Sequence, residues 1–164
     1  MTDTISGKVH AAHPAYKASD KLTSHLQQLL IDLGELALQG KQAHWNVVGR
    51  NFRDLHLQLD EIVDAARGFT DDVAERMRAI YAVPDARSAT IAAQTTLAPF
   101  PAGEVNTGAA VDLIAASLYA VAATGRRIHD DVDAEDPTTA DLIHAVLERL
   151  EQLAWMVDAE NRSV

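Results

Sequence analysis

The sequence predicts an all-α protein, in which two helical hairpins joined by a long connection pack as a four-helix bundle. Three observations carry that prediction. Apolar residues make up 48% of the 164 residues and aromatic residues only 5%, so a core must come mainly from aliphatic side chains, which suits helices better than sheets. Those side chains recur at spacings of three and four over four long segments. The breaks between segments are short, then long, then short, which is the order hairpin, crossover, hairpin. A chain of this length fits one domain and hides about two thirds of its unfolded surface.

The first predicted helix runs from about Ser19 to Trp45, with Leu22, Leu26, Leu29, Leu33 and Leu36 on one face, and stops before the turn signal Gly49 to Asn51. The second, about Phe52 to Ala82, carries Leu55, Leu59, Ile62, Ala66, Phe69, Val73, Met77 and Ile80, and Pro84 ends it. Val83 to Asn106 is a 24-residue link with Pro84, Pro99 and Pro101 and room for one short helix in "SATIAAQT". Helix three, about Thr107 to Asp133, uses Val111, Ile114, Leu118, Val121, Ile128 and Val132. Helix four opens at "DPTTAD", where Asp136 is placed to cap and Pro137 takes the first helical position, and continues through Ile143, Val146, Leu150, Leu153 and Val157. A link of this length can run along a bundle where a tight turn cannot, so the connectivity is that of a ferritin-like bundle. The expected organisation is a flexible N-terminal tail over 1–18, the bundle over 19–160 and a short C-terminal tail over 161–164.

Composition narrows the function. There is no cysteine and no apolar leader in "MTDTISGKVHAAHPAYKASDK", and no run reaches the roughly 20 apolar residues of a membrane span, so the expected place is the cytosol. A net charge of −10 argues against a surface built for nucleic acid and suits cations.

The candidate ligands lie off the core stripe. At about 100° per residue from Leu55, the stripe of helix two stays within about 40° of zero, while His56, Asp60, Asp71 and Glu75 fall between about 100° and 200°. No Glu-x-x-His occurs in the chain, so an in-bundle carboxylate centre is not expected. His56 with Asp60, and Asp71 with Glu75, are i,i+4 pairs, yet Asp60 and Asp71 stand about 16 Å apart along a straight helix. Either Gly68 bends the helix or a second chain completes the site, a two-fold axis bringing one pair against the other. His44, across the short turn, would join the histidine side. Two imidazoles and three carboxylates suit Fe(II), Mn(II) or Zn(II) better than Cu(I). Spacing alone also allows a solvated face with ordinary ion pairs, as Asp72, Arg76 and Arg78 around the second pair illustrate.

"GKQAHWNVVGRNFRDLHLQLDEIVD" followed by "DDVAERM" resembles the DNA-protection-during-starvation family, the Dps mini-ferritins, and the likeness extends from about Leu22 to Val157. It includes the run around His44, the twelve-residue step to His56, the acid at Asp60 and the Asp-x-x-x-Glu pair before Arg76. Carried over by position, the resemblance implies ferroxidase ligands His44, His56 and Asp60 from one subunit with Asp71 and Glu75 from its two-fold mate. It implies a hollow homo-dodecamer that oxidises Fe(II) with hydrogen peroxide or dioxygen, stores ferric oxide and so limits oxidative damage, with other divalent metals competing for the iron sites. Trp45 matches the family's tryptophan near the centre, and core packing is its expected role.

Asp130, Asp131, Asp133, Glu135, Asp136 and Asp141 crowd the junction of helices three and four, which in the family surrounds a three-fold pore. Such a ring would focus cations inward. Asp141 is the first pore candidate and Asp136 the second. The family's DNA binding relies on basic tails, whereas residues 1–21 carry Lys8, Lys17 and Lys21 against Asp3 and Asp20 and "DAENRSV" is not basic, so DNA binding is not expected. His10 and His13 read as surface tail residues, and His25, His129 and His144 as structural or solvated. Two other classes use the same features: a metal-dependent hydrolase with metal-bound water as nucleophile, and a DNA-compacting particle, which the tail charge disfavours.

Overall fold

The computed structural model describes residues 16–163. Ser19 caps the first helix, its Oγ accepting the Leu22 N–H at 3.0 Å, and α1 runs Asp20–Asn46. Its leucine stripe, Leu22, Leu26, Leu29, Leu33 and Leu36, is fully buried as the periodicity predicts. The bundle begins before residue 19, since Ala18 is buried and donates its N–H to the Ile80 carbonyl at 3.0 Å. The tail histidines His10 and His13 lie outside the described residues.

A turn reverses the chain through β1 (Val47–Val48), Gly49 at φ +124° and Asn51 in the left-handed region. A side chain at Gly49 would be strained by that φ and would approach Thr107 Oγ1 to 3.2 Å. Helix α2 is continuous over Phe52–Ala79, through Gly68, and buries Leu55, Leu59, Ile62, Ala66, Val73 and Met77. It ends three residues before the expected Ala82, where Tyr81 takes φ +63°.

The crossover contains the short helix α3 (Ser88–Gln94) and ends in β2 (Val105–Asn106), which pairs in parallel with β1. Asp32 of α1 holds it from inside. Its buried carboxylate accepts the Thr96 N–H and Oγ1–H, each at 2.8 Å, and the Thr124 hydroxyl of the next helix at 2.9 Å. Helix α4 (Thr107–Glu135) starts at Asn106, whose Oδ1 accepts the Ala109 N–H, and α5 (Pro137–Asp158) follows after one residue, Asp136. A last 3-10 turn spans Ala159–Asn161. The hairpins α1–α2 and α4–α5 pack face to face over one core, with α1 on α4 and α2 on α5. Among the described residues α4 alone is long and apolar enough to cross a membrane, but Ile114, Leu118 and Val121 are buried in the bundle.

Candidate metal centre

The α1–α2 turn sets His44, in the last turn of α1, against His56, in the second turn of α2. Their rings stack with centroids 3.7 Å apart, and Phe52 lies 5.0 Å from the His56 ring. The backbone fixes both imidazoles reciprocally: His44 Nδ1 lies 2.9 Å from the His56 carbonyl and His56 Nδ1 lies 3.0 Å from the His44 carbonyl. A carbonyl oxygen only accepts, so each Nδ1 carries the proton. Each Nε2 is left as a lone pair, the arrangement in which second hydrogen bonds orient histidine ligands.

Asp60, one turn beyond His56, brings a carboxylate to the pair, with Oδ1 at 3.3 Å from His44 Nδ1. Lys41 also contacts this oxygen. The hydrogen bond from Lys41 holds the Asp60 carboxyl below its ordinary range against a smaller desolvation effect, and the charge of Lys41 adds to it. Asp60 is therefore ionised and ready to meet a cation. His44 is nearly buried, whereas the Asp60 side chain is partly exposed, so the donors open outward from the bundle.

The other two predicted ligands are elsewhere on the same chain. Asp71 and Glu75 are exposed on α2, and Asp71 lies about 16 Å along the unbroken helix from Asp60. Among the described residues of one chain, no group of three or more His, Asp or Glu side chains is arranged to hold a metal ion. His44, His56 and Asp60 come together, and Asp71 and Glu75 stand apart from them on α2.

Trp45 departs from the expected core role: it is 71% exposed. Its neighbours His44 and Ala43 occupy the inward positions, and a step of one residue turns the indole out. The acidic cluster is also less open than its sequence implies. Asp131 pairs with Lys21 at 2.7 Å and His25 at 3.2 Å, and Glu135 accepts the Ser19 N–H and Oγ–H at 2.8 and 2.6 Å. Asp136 meets Arg76 at 2.6 Å and the Thr139 hydroxyl. Burial pushes the Asp136 carboxyl up, but the bonds from Thr139 and Arg76 and the Arg76 charge bring it below its ordinary range. Asp141 is free of such ties, 87% exposed beside His144 at 3.7 Å.

The three histidines expected to be structural or solvated make contacts within the chain. His25 reaches Asp131, and His129 and His144 bring their Nε2 atoms within 2.6 Å of each other. Arg126 makes a two-bond pair with Glu151 of α5, at 2.6 and 2.8 Å, an interhelical contact within the chain.

A hairpin pair joined by a crossover, with histidine and carboxylate donors on the bundle surface, defines a protein of the ferritin-like class. Residues 23–162 match the ferritin-like domain family. The chain is 37% identical over 142 residues to DNA protection during starvation protein 2 of Deinococcus radiodurans, covering 85% of this chain and 58% of that protein. It is 30% identical over 147 residues to the DNA protection during starvation protein of Mycolicibacterium smegmatis, covering 90% and 80%. The solved structure of Dps from Microbacterium arborescens in the high iron form superposes with a TM-score of 0.79 at 29% identity, covering 89% of this chain and 98% of that one. The chain belongs to the Dps family of mini-ferritins.

Proposed function

We propose that this protein is a ferroxidase and iron store: it oxidises Fe(II) with hydrogen peroxide or dioxygen at centres shared between two-fold-related subunits of a hollow dodecamer, in the cytosol. The observation that carries the reading is the reciprocal clamp on His44 and His56, which takes up both Nδ1 atoms and leaves both Nε2 atoms free beside an ionised Asp60. Such a set has no structural use as a bare apolar contact. It is incomplete on one chain, and Asp71 and Glu75 of a second chain supply the oxygen donors it lacks.

Fe(II) is the substrate. Imidazole and carboxylate donors bind it and favour Fe(III), whose higher charge the carboxylates stabilise more, so electron loss becomes easier. Peroxide takes the electrons as its O–O bond breaks, and Fe(III) hydrolyses to ferric oxide with release of protons. Removing Fe(II) and peroxide together protects against hydroxyl radical. Other divalent ions compete for the same donors. Asp141 is the acid placed to draw cations toward a pore, while Asp136 serves to hold the α4–α5 corner. The names of the relatives mention DNA, but a near-neutral N-terminal segment gives this chain little counterion release to bind with.

The test is anaerobic loading with Fe(II) followed by peroxide, on assembled protein whose mass is measured in parallel. His44→Ala with His56→Ala should slow initial oxidation at least tenfold while leaving the particle intact. An unchanged initial rate in a correctly assembled double variant removes the site assignment.

A further inference from the structure

We propose that the α4–α5 corner carries a second divalent-cation site, in which His129 and His144 supply two imidazole Nε2 donors to a late first-row ion such as Zn2+ or Co2+.

The argument begins with hydrogen-bond accounting. The two Nε2 atoms are 2.6 Å apart, and the rings lie nearly parallel with centroids 4.6 Å apart. His129 Nδ1 lies 3.0 Å from Asp130 Oδ1, and His144 Nδ1 faces Asp141 Oδ1 at 3.7 Å. An ionised carboxylate only accepts, so the proton of His129 belongs on Nδ1 and its Nε2 offers a lone pair. His144 Nδ1 is beyond hydrogen-bond reach of Asp141, so the His144 Nε2–H donates to that lone pair, and a cation that replaces this proton finds both Nε2 atoms converging on it. The Asp130 carboxylate behind His129 is also the arrangement that orients histidine toward a metal.

The surroundings accept a cation. His129 and His144 line a concavity of about 210 Å³ with Arg126, Asp130 and Leu147. The one fixed positive charge there, Arg126, is held by both carboxylate oxygens of Glu151. Asp130 and Asp141 are otherwise exposed, so the mouth is acidic. Around an ion with metal–nitrogen distances near 2.0 Å, two nitrogens need about 3.3 Å between them. The His144 side chain is 58% exposed and can swing outward by that amount. Two protein donors leave the remaining positions to water or another copy. An imidazole donor set selects Zn2+, Co2+, Ni2+ or Cu2+ over Mg2+ and Ca2+.

This site is separate from the ferroxidase centre. Asp131, next to it on α4, meets His25 of α1, which lies roughly 28 Å along α1 from His44. One can be removed without touching the other.

The experiment titrates the assembled full-length protein with Zn2+ alone by calorimetry, and with Co2+ alone by visible absorption. Both are done in the unaltered background and with His44→Ala/His56→Ala, which separates the two sites. A class of sites should weaken at least tenfold in His129→Ala and in His144→Gln in both backgrounds, with helical circular dichroism unchanged. Asp130→Asn should weaken it by about tenfold through the orienting bond to His129. Excess Mg2+ should not displace the ion. Titrations of His129→Ala and His144→Gln that superimpose on the parent's in both backgrounds, or equal displacement by Mg2+, overturn the proposal and leave a shared proton as the bridge.

Discussion

Asp32→Ala should loosen the crossover while leaving the helices folded. The fully buried carboxylate accepts five hydrogen bonds: from Gln28 at 3.2 Å, Thr95 Oγ1 at 3.4 Å, Thr96 N and Oγ1 at 2.8 Å each, and Thr124 Oγ1 at 2.9 Å. A hydrogen bond to a charged group contributes about 1.5–3 kcal/mol net, but five sharing one acceptor do not add. After truncation the hydroxyls of Thr95 and Thr124 can turn to nearby carbonyls. The Thr96 N–H cannot, and leaving it buried without a partner costs about 1–3 kcal/mol on top of the lost bonds. The expected loss is therefore about 3–5 kcal/mol, concentrated at residues 95–98. Asp32→Asn should lose only about 1–2 kcal/mol, because the amide oxygen still accepts from Thr96 N and the new NH2 donates to rotated hydroxyls. In an oligomer a melting midpoint mixes assembly with folding, so hydrogen exchange is the better assay. About 3 kcal/mol corresponds to more than a hundredfold faster exchange at the Thr96 amide, accompanied by new protease cleavage in the crossover. Equal exchange in the Ala and Asn variants, both like the parent, would refute the reasoning.

Two further outcomes follow from the corner and from the shared centre. Asp131 and Glu135 are held below the ordinary carboxylate range chiefly by their hydrogen bonds from Lys21 and Ser19, and Asp136 is lowered despite its burial. Groups lowered in the folded state contribute stability above the unfolded carboxylate pKa of about 4 and lose it as pH falls through the lowered values. Amide protection in the first turn of α1 should hold constant from pH 7 to about 5 and collapse below about 4; loosening already near pH 6 would point to histidine instead. For the centre, neither His44→Ala/His56→Ala nor Asp71→Asn/Glu75→Gln particles should oxidise Fe(II) at the parent rate. Reassembly of the two as a mixture should recover part of it, since each mixed pair holds one intact centre. No recovery in verified hybrids argues that all ligands come from one chain.

Much of this was legible because a hairpin is a reflection. His44 and His56 lie six residues either side of Arg50, and the turn brings them together. The same folding about that turn sets Lys41 beside Asp60, a contact the spacing of ligand types did not reveal because lysine is not a ligand. His129 and His144 stand seven and eight residues from Asp136, so reflecting the chain there was the signal that could have found them. Periodicity alone treats each helix separately and misses such pairs. The leucine stripe, the crossover helix and Pro137 at the start of α5 needed only local pattern and were read directly. Asp32 was not, since Thr95 and Thr96 sit in an irregular connection over sixty residues away and Thr124 on another helix. Of the five glycines within helices, Gly125 has Leu147 pressed to 3.1 Å from where a Cβ would stand, while Gly68 faces open space on the single chain.

The two-residue bridge between β1 and β2 has a mechanical consequence. Helices packed through aliphatic side chains have little to stop one hairpin sliding lengthwise past the other by a ridge, because such contacts are non-directional. Val47 paired with Val105, and Val48 with Asn106, act as a directional pin between the hairpins. Asn106 also starts α4, so the same residue sets the axial offset and the first turn of the helix. The pin sits three residues beyond His44. The axial level of the imidazole pair is thereby gauged against the second hairpin as well as the first.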